Sequence, residues 1–206
     1  MINDTTVVVD YGMGNLRSVE KAVDAVGGRA LLSGDPAVVR SAPRLILPGV
    51  GAFGDAMENL RRSGLDEAVL EAVARGVPLL GLCLGLQLLF SRSEEFGTHR
   101  GLDIIPGKVC RFREPGLHVP HVGWNQVSGL RDDPLLEGIP EGAYFYFVHS
   151  YFVEPEDAAH ALAWTEYGGR FCSIARCGSV WGAQFHPEKS QERGKRLLIN
   201  FCRIGG

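Results

Sequence analysis

The chain has 206 residues, of which 45% are hydrophobic and 22% charged, with a formal net charge of −3. These proportions suit a globular chain and exclude a disordered, collagen-like or disulfide-scaffold polypeptide. With 21 basic against 24 acidic side chains, the basic excess or stripe of a nucleic-acid binder is also missing.

The first half alternates β-rich and helical segments. Thr5 to Asp10 reads as a buried strand, and Leu16, Val19, Val23 and Val26 then mark one face of a helix. Ala30 to Ser33 is a second strand and Arg44 to Leu47 a third, stopped by Pro48-Gly49. Leu65, Val69, Leu70 and Val73 mark another helix, ended by Gly76, before the strand Val77 to Leu82. The longest apolar stretch, Val77 to Phe90, carries Pro78 and Gln87 and falls short of the roughly 20 residues that span a bilayer. Beyond about residue 105 the β-rich runs Lys108 to Arg113, Tyr144 to Val153, Ala161 to Tyr167 and Ser173 to Phe185 follow one another, the last turning at Cys177-Gly178-Ser179. Ser190 to Ile204 closes the chain as a helix, with Leu197, Leu198 and Phe201 on one face.

Strands separated by helix-length segments imply right-handed crossovers. The expected fold is therefore α/β, with a mainly parallel central sheet flanked by helices and a β-rich C-terminal half. Residues 1–206 are expected to form a single domain. The start, Met1-Ile2-Asn3-Asp4, lacks the basic and apolar regions of a signal peptide, and the five cysteines suit free thiols rather than a disulfide framework. A soluble, cytoplasmic chain with no membrane or nucleic-acid partner is expected. No common zinc spacing occurs among the cysteines, so no metal is expected.

Chemistry in open α/β sheets gathers at the carboxyl ends of the strands. There the sequence reads Gly81-Leu82-Cys83-Leu84-Gly85, with a strand entering and a helix leaving. This is a nucleophile elbow with cysteine in the serine position, at a helix start whose partial charge favours thiolate. With 27 glycines in the chain, the bare pattern is weak and needs a base and an orienting group. His186 ends a β-rich run in Phe185-His186-Pro187-Glu188, and in an extended chain Glu188 shares its side. His149 is the rival base, without a carboxylate close behind it. At Pro48-Gly49-Val50-Gly51, glycines after a strand leave backbone N–H groups free to face an anion, so this loop offers one donor of an oxyanion hole beside the N–H of Leu84.

Taken together these motifs resemble the triad-type, class I glutamine amidotransferases, a flavodoxin-like fold. Asp10-Tyr-Gly-Met-Gly-Asn15, Pro48-Gly-Val-Gly-Ala-Phe-Gly-Asp55, Ile105-Pro-Gly-Lys-Val109, Val119-Pro-His-Val-Gly-Trp-Asn125, Tyr146-Phe-Val-His-Ser-Tyr151 and Gln184-Phe-His-Pro-Glu-Lys-Ser190 carry the likeness. They are most similar to the glutaminase subunits that serve histidine biosynthesis. Departures are small: Leu86 and Val122 stand for methionine and His118 for lysine.

The resemblance implies that Cys83 attacks the side-chain amide of glutamine, His186 shuttles the proton, Glu188 orients His186, and Val50 and Leu84 form the oxyanion hole. Gly49, Gly51, Gln87, Glu95, Ser150 and Tyr151 would bind glutamine, and no cofactor is required. Ammonia freed into neutral water is protonated, so a partner must take it directly. The implied partner is a (β/α)8-barrel cyclase forming a heterodimer and yielding imidazole glycerol phosphate and an aminoimidazole carboxamide ribotide, with Asn15, Trp124 and Lys189 at the interface. All 206 residues are expected to be used by the one domain, leaving none for the synthase. The Gly49–Val50 peptide is expected to rotate freely at glycine while β-branched Val50 resists it. A glutaminase subunit of another synthase, a free-standing γ-glutamyl hydrolase and a non-catalytic relative are the alternatives.

Overall fold

The computed structural model describes residues 5–205; Met1 to Asp4, read above for a leader, lie outside them. The elements run β1 (Thr5–Val9), α1 (Leu16–Ala25), β2 (Arg29–Ser33), α2 (Pro36–Ser41), β3 (Leu45–Leu47), α3 (Phe53–Ser63), α4 (Leu65–Ala74), β4 (Leu79–Leu82) and α5 (Leu84–Leu88). There follow β5 (Phe90–Ser93), β6 (His99–Arg100), β7 (Ile105–Arg111), β8 (His121–Val127), β9 (Ala143–His149) and β10 (Tyr151–Pro155). The chain finishes with β11 (Ala161–Glu166), β12 (Arg170–Cys177), β13 (Val180–Ala183) and α6 (Gln191–Arg203).

The main sheet has the order β2-β1-β3-β4-β13-β12-β10-β7-β5-β6, with β11 on the side of β12. From β2 to β13 all neighbours are parallel, and from β13 to β7 they are antiparallel. Strands β3, β4 and β13 and the Val7–Val9 end of β1 are buried because both faces are covered, whereas the edge strand β2 is partly exposed and begins at Arg29. Val7 and Val9 face one core with Leu45, Phe53, Met57, Leu60, Leu65 and Val69, beneath α3 and α4. Val8 points the other way with Ile46, Leu80 and Leu82, against Val19 and Val23 of α1 and Leu197, Leu198 and Phe201 of α6. Alternation along a strand thus divides one apolar run between two helical layers.

Three features depart from the sequence reading. Tyr144 to Val153 is not one run: it breaks at Ser150, where β9 leaves a two-stranded sheet with β8 and β10 enters the main sheet between β7 and β12. Helix α3 follows the glycine-rich loop directly, and its spacing of Phe53, Ala56, Met57 and Leu60 was a helical signal masked by the glycines. The third is local: residues Pro187–Lys189 form a 3-10 turn rather than continuing an extended strand.

Candidate active site

Strand β4 delivers Cys83 at the carboxyl edge of the sheet. The residue has φ 54° and ψ −108°, a strained conformation for a side chain with a Cβ, costing about 1–3 kcal/mol. Its N–H donates to the Ala183 carbonyl at 2.8 Å, tying the elbow to the end of β13. The flanking glycines are there for contact. A Cβ on Gly81 would stand 2.7 Å from the carbonyl group of Gly85, and one on Gly85 would run into the Leu47 carbonyl. Strand, elbow and the end of β3 therefore approach at backbone distance.

The chain continues from β13 through Gln184 and Phe185 to His186, bringing its buried ring to Cys83. His186 Nδ1 lies 2.8 Å from Glu188 Oε1, both side chains being buried. The sequence pairs these two residues correctly, but through the 3-10 turn and not through an extended backbone. A turn reverses the chain enough to put the carboxylate beside the ring. His186 Nε2 is buried with no hydrogen bond, leaving it as the ring nitrogen open to Cys83. Burial alone would lower the His186 pKa, but interaction with Cys83 and with Glu188 outweighs it and lifts the value from 6.5 to about 10. A thiol, an imidazole and an orienting carboxylate in this order constitute the apparatus of nucleophilic catalysis.

His149, the rival base, is spoken for. Its Nδ1 donates to the Tyr151 carbonyl at 2.8 Å, and its Nε2 lies 3.0 Å from His121 Nδ1. Burial holds its pKa down at about 3, so it stays neutral and structural.

Cys83, His186, Val50, Gly51, Leu84, Gln87, Glu95, Ser150 and Tyr151 line one cavity of about 280 Å³, together with Val148 and His149. The Val50 N–H makes no hydrogen bond among the described residues and is a donor in reserve. Gln87 Nε2 donates to the Tyr151 carbonyl at 3.0 Å and to Gln184 Oε1 at 3.2 Å. Glu95 Oε2 accepts the Phe53 N–H at 2.6 Å at the head of α3, while burial lifts its carboxyl above the ordinary value against that bond. Gly49 is not among the residues that line the cavity; it lies against Tyr11 and the start of α5.

Sequence reasoning passed over Gln184, whose Nε2 stands 3.8 Å from Cys83 Sγ. Its signal was its place two residues before His186, on the same side of an extended chain. A wider groove of about 400 Å³ contains another thiol, Cys110, with Lys108 and Glu154. Burial and the Glu154 charge push that thiol up to about 11, and no histidine lines the groove. Among the described residues no cluster of His, Cys, Asp and Glu could hold a metal ion.

Outside the cavity, Trp124 is 46% exposed and packs edge-on against Tyr146, over whose ring Lys189 Nζ sits at 5.8 Å. Asn15 stands at the N-terminal boundary of α1, its side chain accepting from the Ser18 hydroxyl at 2.8 Å and not capping a backbone N–H, and α1 neighbours the Pro187–Lys189 turn. Val122 and Tyr144 extend the exposed apolar face of the β8–β9 pair.

A family model described as glutamine amidotransferase class-I matches residues 7–204. Imidazole glycerol phosphate synthase subunit HisH of Syntrophotalea carbinolica is 53% identical over 201 residues, covering 95% of this chain and 98% of the relative. The subunit of the same name from Aquifex aeolicus is 51% identical over 199 residues, covering 96% of each. Among solved structures, one described as a glutamine amidotransferase superposes with a TM-score of 0.77 at 20% identity over 98% of both chains. PurLQS from Thermotoga maritima superposes with a TM-score of 0.76 at 18% identity over 96% of both, a likeness of fold. With its elbow cysteine and paired His186 and Glu188 at one cavity, this chain belongs to the class I glutamine amidotransferases.

Proposed function

We propose that the chain hydrolyses glutamine to glutamate and ammonia as the glutaminase subunit of an imidazole glycerol phosphate synthase, and that the described residues act as one amidotransferase domain. The observation that carries the chemistry is the meeting of Cys83 with the His186–Glu188 pair in a cavity sized for one amino acid. Cys83 passes its thiol proton to His186 Nε2, and Sγ attacks the carbonyl carbon of the glutamine side-chain amide. The N–H groups of Val50 and Leu84 hold the oxyanion as it forms. His186 gives its proton to the departing ammonia, leaving a glutamyl thioester on Cys83. His186 then takes a proton from water, which attacks the thioester and releases glutamate. Glu188 keeps the imidazole in register through both steps. Glu95, Gln87, Gly51, Ser150 and Tyr151 frame the amino-acid end of the substrate.

The relatives named as synthase subunits, and the need to hand ammonia on before it is protonated, support a partner that consumes it. We assign that partner as a (β/α)8-barrel cyclase forming a heterodimer, docked on the face of Trp124, Tyr146, Lys189 and Asn15. An exposed Trp-Tyr pair is the sort of anchor interfaces use. The five cysteines form no disulfide, which suits the reducing cytoplasm, and no described helix is long and apolar enough to cross a membrane.

Glutamate release is the test, measured with and without a purified barrel cyclase and its nucleotide substrate. Strong stimulation that disappears in Cys83→Ala is the expected result. Release that ignores the cyclase would transfer the reading to another synthase or a free-standing hydrolase.

A further inference from the structure

Tyr11 follows β1 in a buried position that the mechanism above leaves unused. Its ring belongs to the core beneath α3, and its hydroxyl donates to the Pro48 carbonyl at 2.8 Å. A phenylalanine would fill the same space, so packing does not explain the hydroxyl. Burial, together with the charge of the nearby Cys83, pushes the phenol well above its ordinary pKa, which keeps the hydroxyl a donor.

The bond falls at a particular point of the chain. A Cβ built on Gly49 would stand 2.5 Å from Tyr11 Oη, 2.9 Å from Leu84 Cβ and 3.1 Å from the Gly85 nitrogen. Gly14 closes a further side, where its own Cβ would lie 3.6 Å from the Gly49 nitrogen. Gly49 is therefore threaded between Tyr11 and the elbow helix. One residue later the confinement ends: Val50 is 42% exposed and Gly51 has φ +106°.

Dihedral bookkeeping connects the two regions. The proline ring fixes φ at Pro48, which leaves ψ as the freedom that sets the Pro48–Gly49 peptide plane. Tyr11 holds the carbonyl of that plane. The next soft dihedrals belong to Gly49, and they aim the Val50 N–H. Without the hydroxyl, the Pro48 carbonyl loses a buried donor and has reason to rotate toward another.

We propose that Tyr11 is a positioning residue: by holding the Pro48 carbonyl it fixes the peptide plane from which the Val50 N–H is aimed at the oxyanion. The inference rests on the Val50 N–H being an oxyanion donor, as proposed above, and extends that reading to the residue that orients it.

Two variants, assayed with the partner subunit at saturation, separate this inference from its foundation. Tyr11→Phe keeps the ring and removes the bond. Its kcat for glutamine hydrolysis should fall about three- to tenfold, as for the loss of one neutral hydrogen bond, with KM within about twofold. Alkylation of Cys83 by iodoacetamide should keep its rate, because the thiol and His186 are untouched. Val50→Pro deletes the donor at an exposed position, and should cost about 100-fold or more in kcat. In that background Tyr11→Phe should add nothing, since the two act through one group. A Tyr11→Phe chain that only melts earlier, with kcat and KM unchanged, would overturn the inference while leaving the oxyanion reading intact. Slower alkylation with a raised KM would also overturn it, by showing general loosening of the pocket. If Val50→Pro keeps its kcat, the oxyanion reading fails and the inference falls with it, whatever Tyr11→Phe does.

Discussion

Replacing Glu188 with glutamine tests whether a carboxylate, and not merely a side chain of that shape, holds the imidazole. Glu188 is buried to 2% side-chain exposure and accepts from His186 Nδ1 at 2.8 Å, where water cannot substitute for it. A buried hydrogen bond to a charged group contributes about 1.5–3 kcal/mol. At about 1.4 kcal/mol per factor of ten, its loss alone corresponds to roughly 10- to 100-fold in rate. The amide adds a second fault, because its NH2 group can donate to Nδ1 and place the ring proton on Nε2, the nitrogen that must receive the Cys83 proton. The same exchange in a serine-protease triad costs about 10⁴-fold. Glu188→Gln should therefore lower kcat by at least about 100-fold, with KM changed by less than about threefold. Initial rates of glutamate formation at saturating glutamine and partner subunit give both constants, and a circular-dichroism melt checks the fold. A kcat within about threefold of the parent would refute the orienting role, as would a loss appearing wholly in KM.

Gly85→Ala drives a Cβ into the Leu47 carbonyl and should destabilise the chain by about 3 kcal/mol in urea unfolding; a loss under about 1 kcal/mol would show that the elbow can shift. His121 and His149 form a buried neutral pair, with burial lowering their pKa values to about 4 and about 3 from 6.5. The unfolded chain then binds protons that the folded chain refuses, so stability should fall as pH drops from 6.5 towards 4. His121→Gln removes one titrating ring and should make that acid slope shallower by about half, and an unchanged slope would assign it to other groups. Trp124→Ala should weaken binding to the barrel cyclase by at least about tenfold in titration calorimetry, and an unaltered affinity would place the interface on another face.

The candidate site was partly legible in advance. Cys83 could be read because a nucleophile elbow is a local event: a strand, a positive φ and a helix within a few residues. The two elbow glycines were legible as residues but not in their purpose, which is the backbone approach of β3, β4 and α5. Gly49 illustrates the same limit, since a glycine after a strand looks the same whether it faces a ligand or is threaded past Tyr11. His149 looked like a rival to His186 because sequence shows neither what each ring bonds nor how deeply it is buried. Gln184 and Tyr11 lie inside motifs that the sequence displays, but nothing local shows that one meets Cys83 and the other the Pro48 carbonyl.

From sequence alone came the alternation of strands and helices, the hairpin at Cys177-Gly178-Ser179, the elbow and the pairing of His186 with Glu188. Each depends on neighbours within about one turn or one strand, so periodicity and turn chemistry suffice to set it. Only the tertiary structure decided that β13 lies parallel to β4 with Ala183 opposite Leu82, which carries the residues after β13 to the elbow. Gln184 and Cys83 stand 101 residues apart in the chain, and no local pattern reports such a contact. The break at Ser150 has the same origin: Tyr, Phe and Val run on from β9 into β10, and what separates the two strands is the sheet each one pairs with. A catalytic cavity made where separate strands end is a property of their order in the sheet, and that order is set by which faces can be buried together.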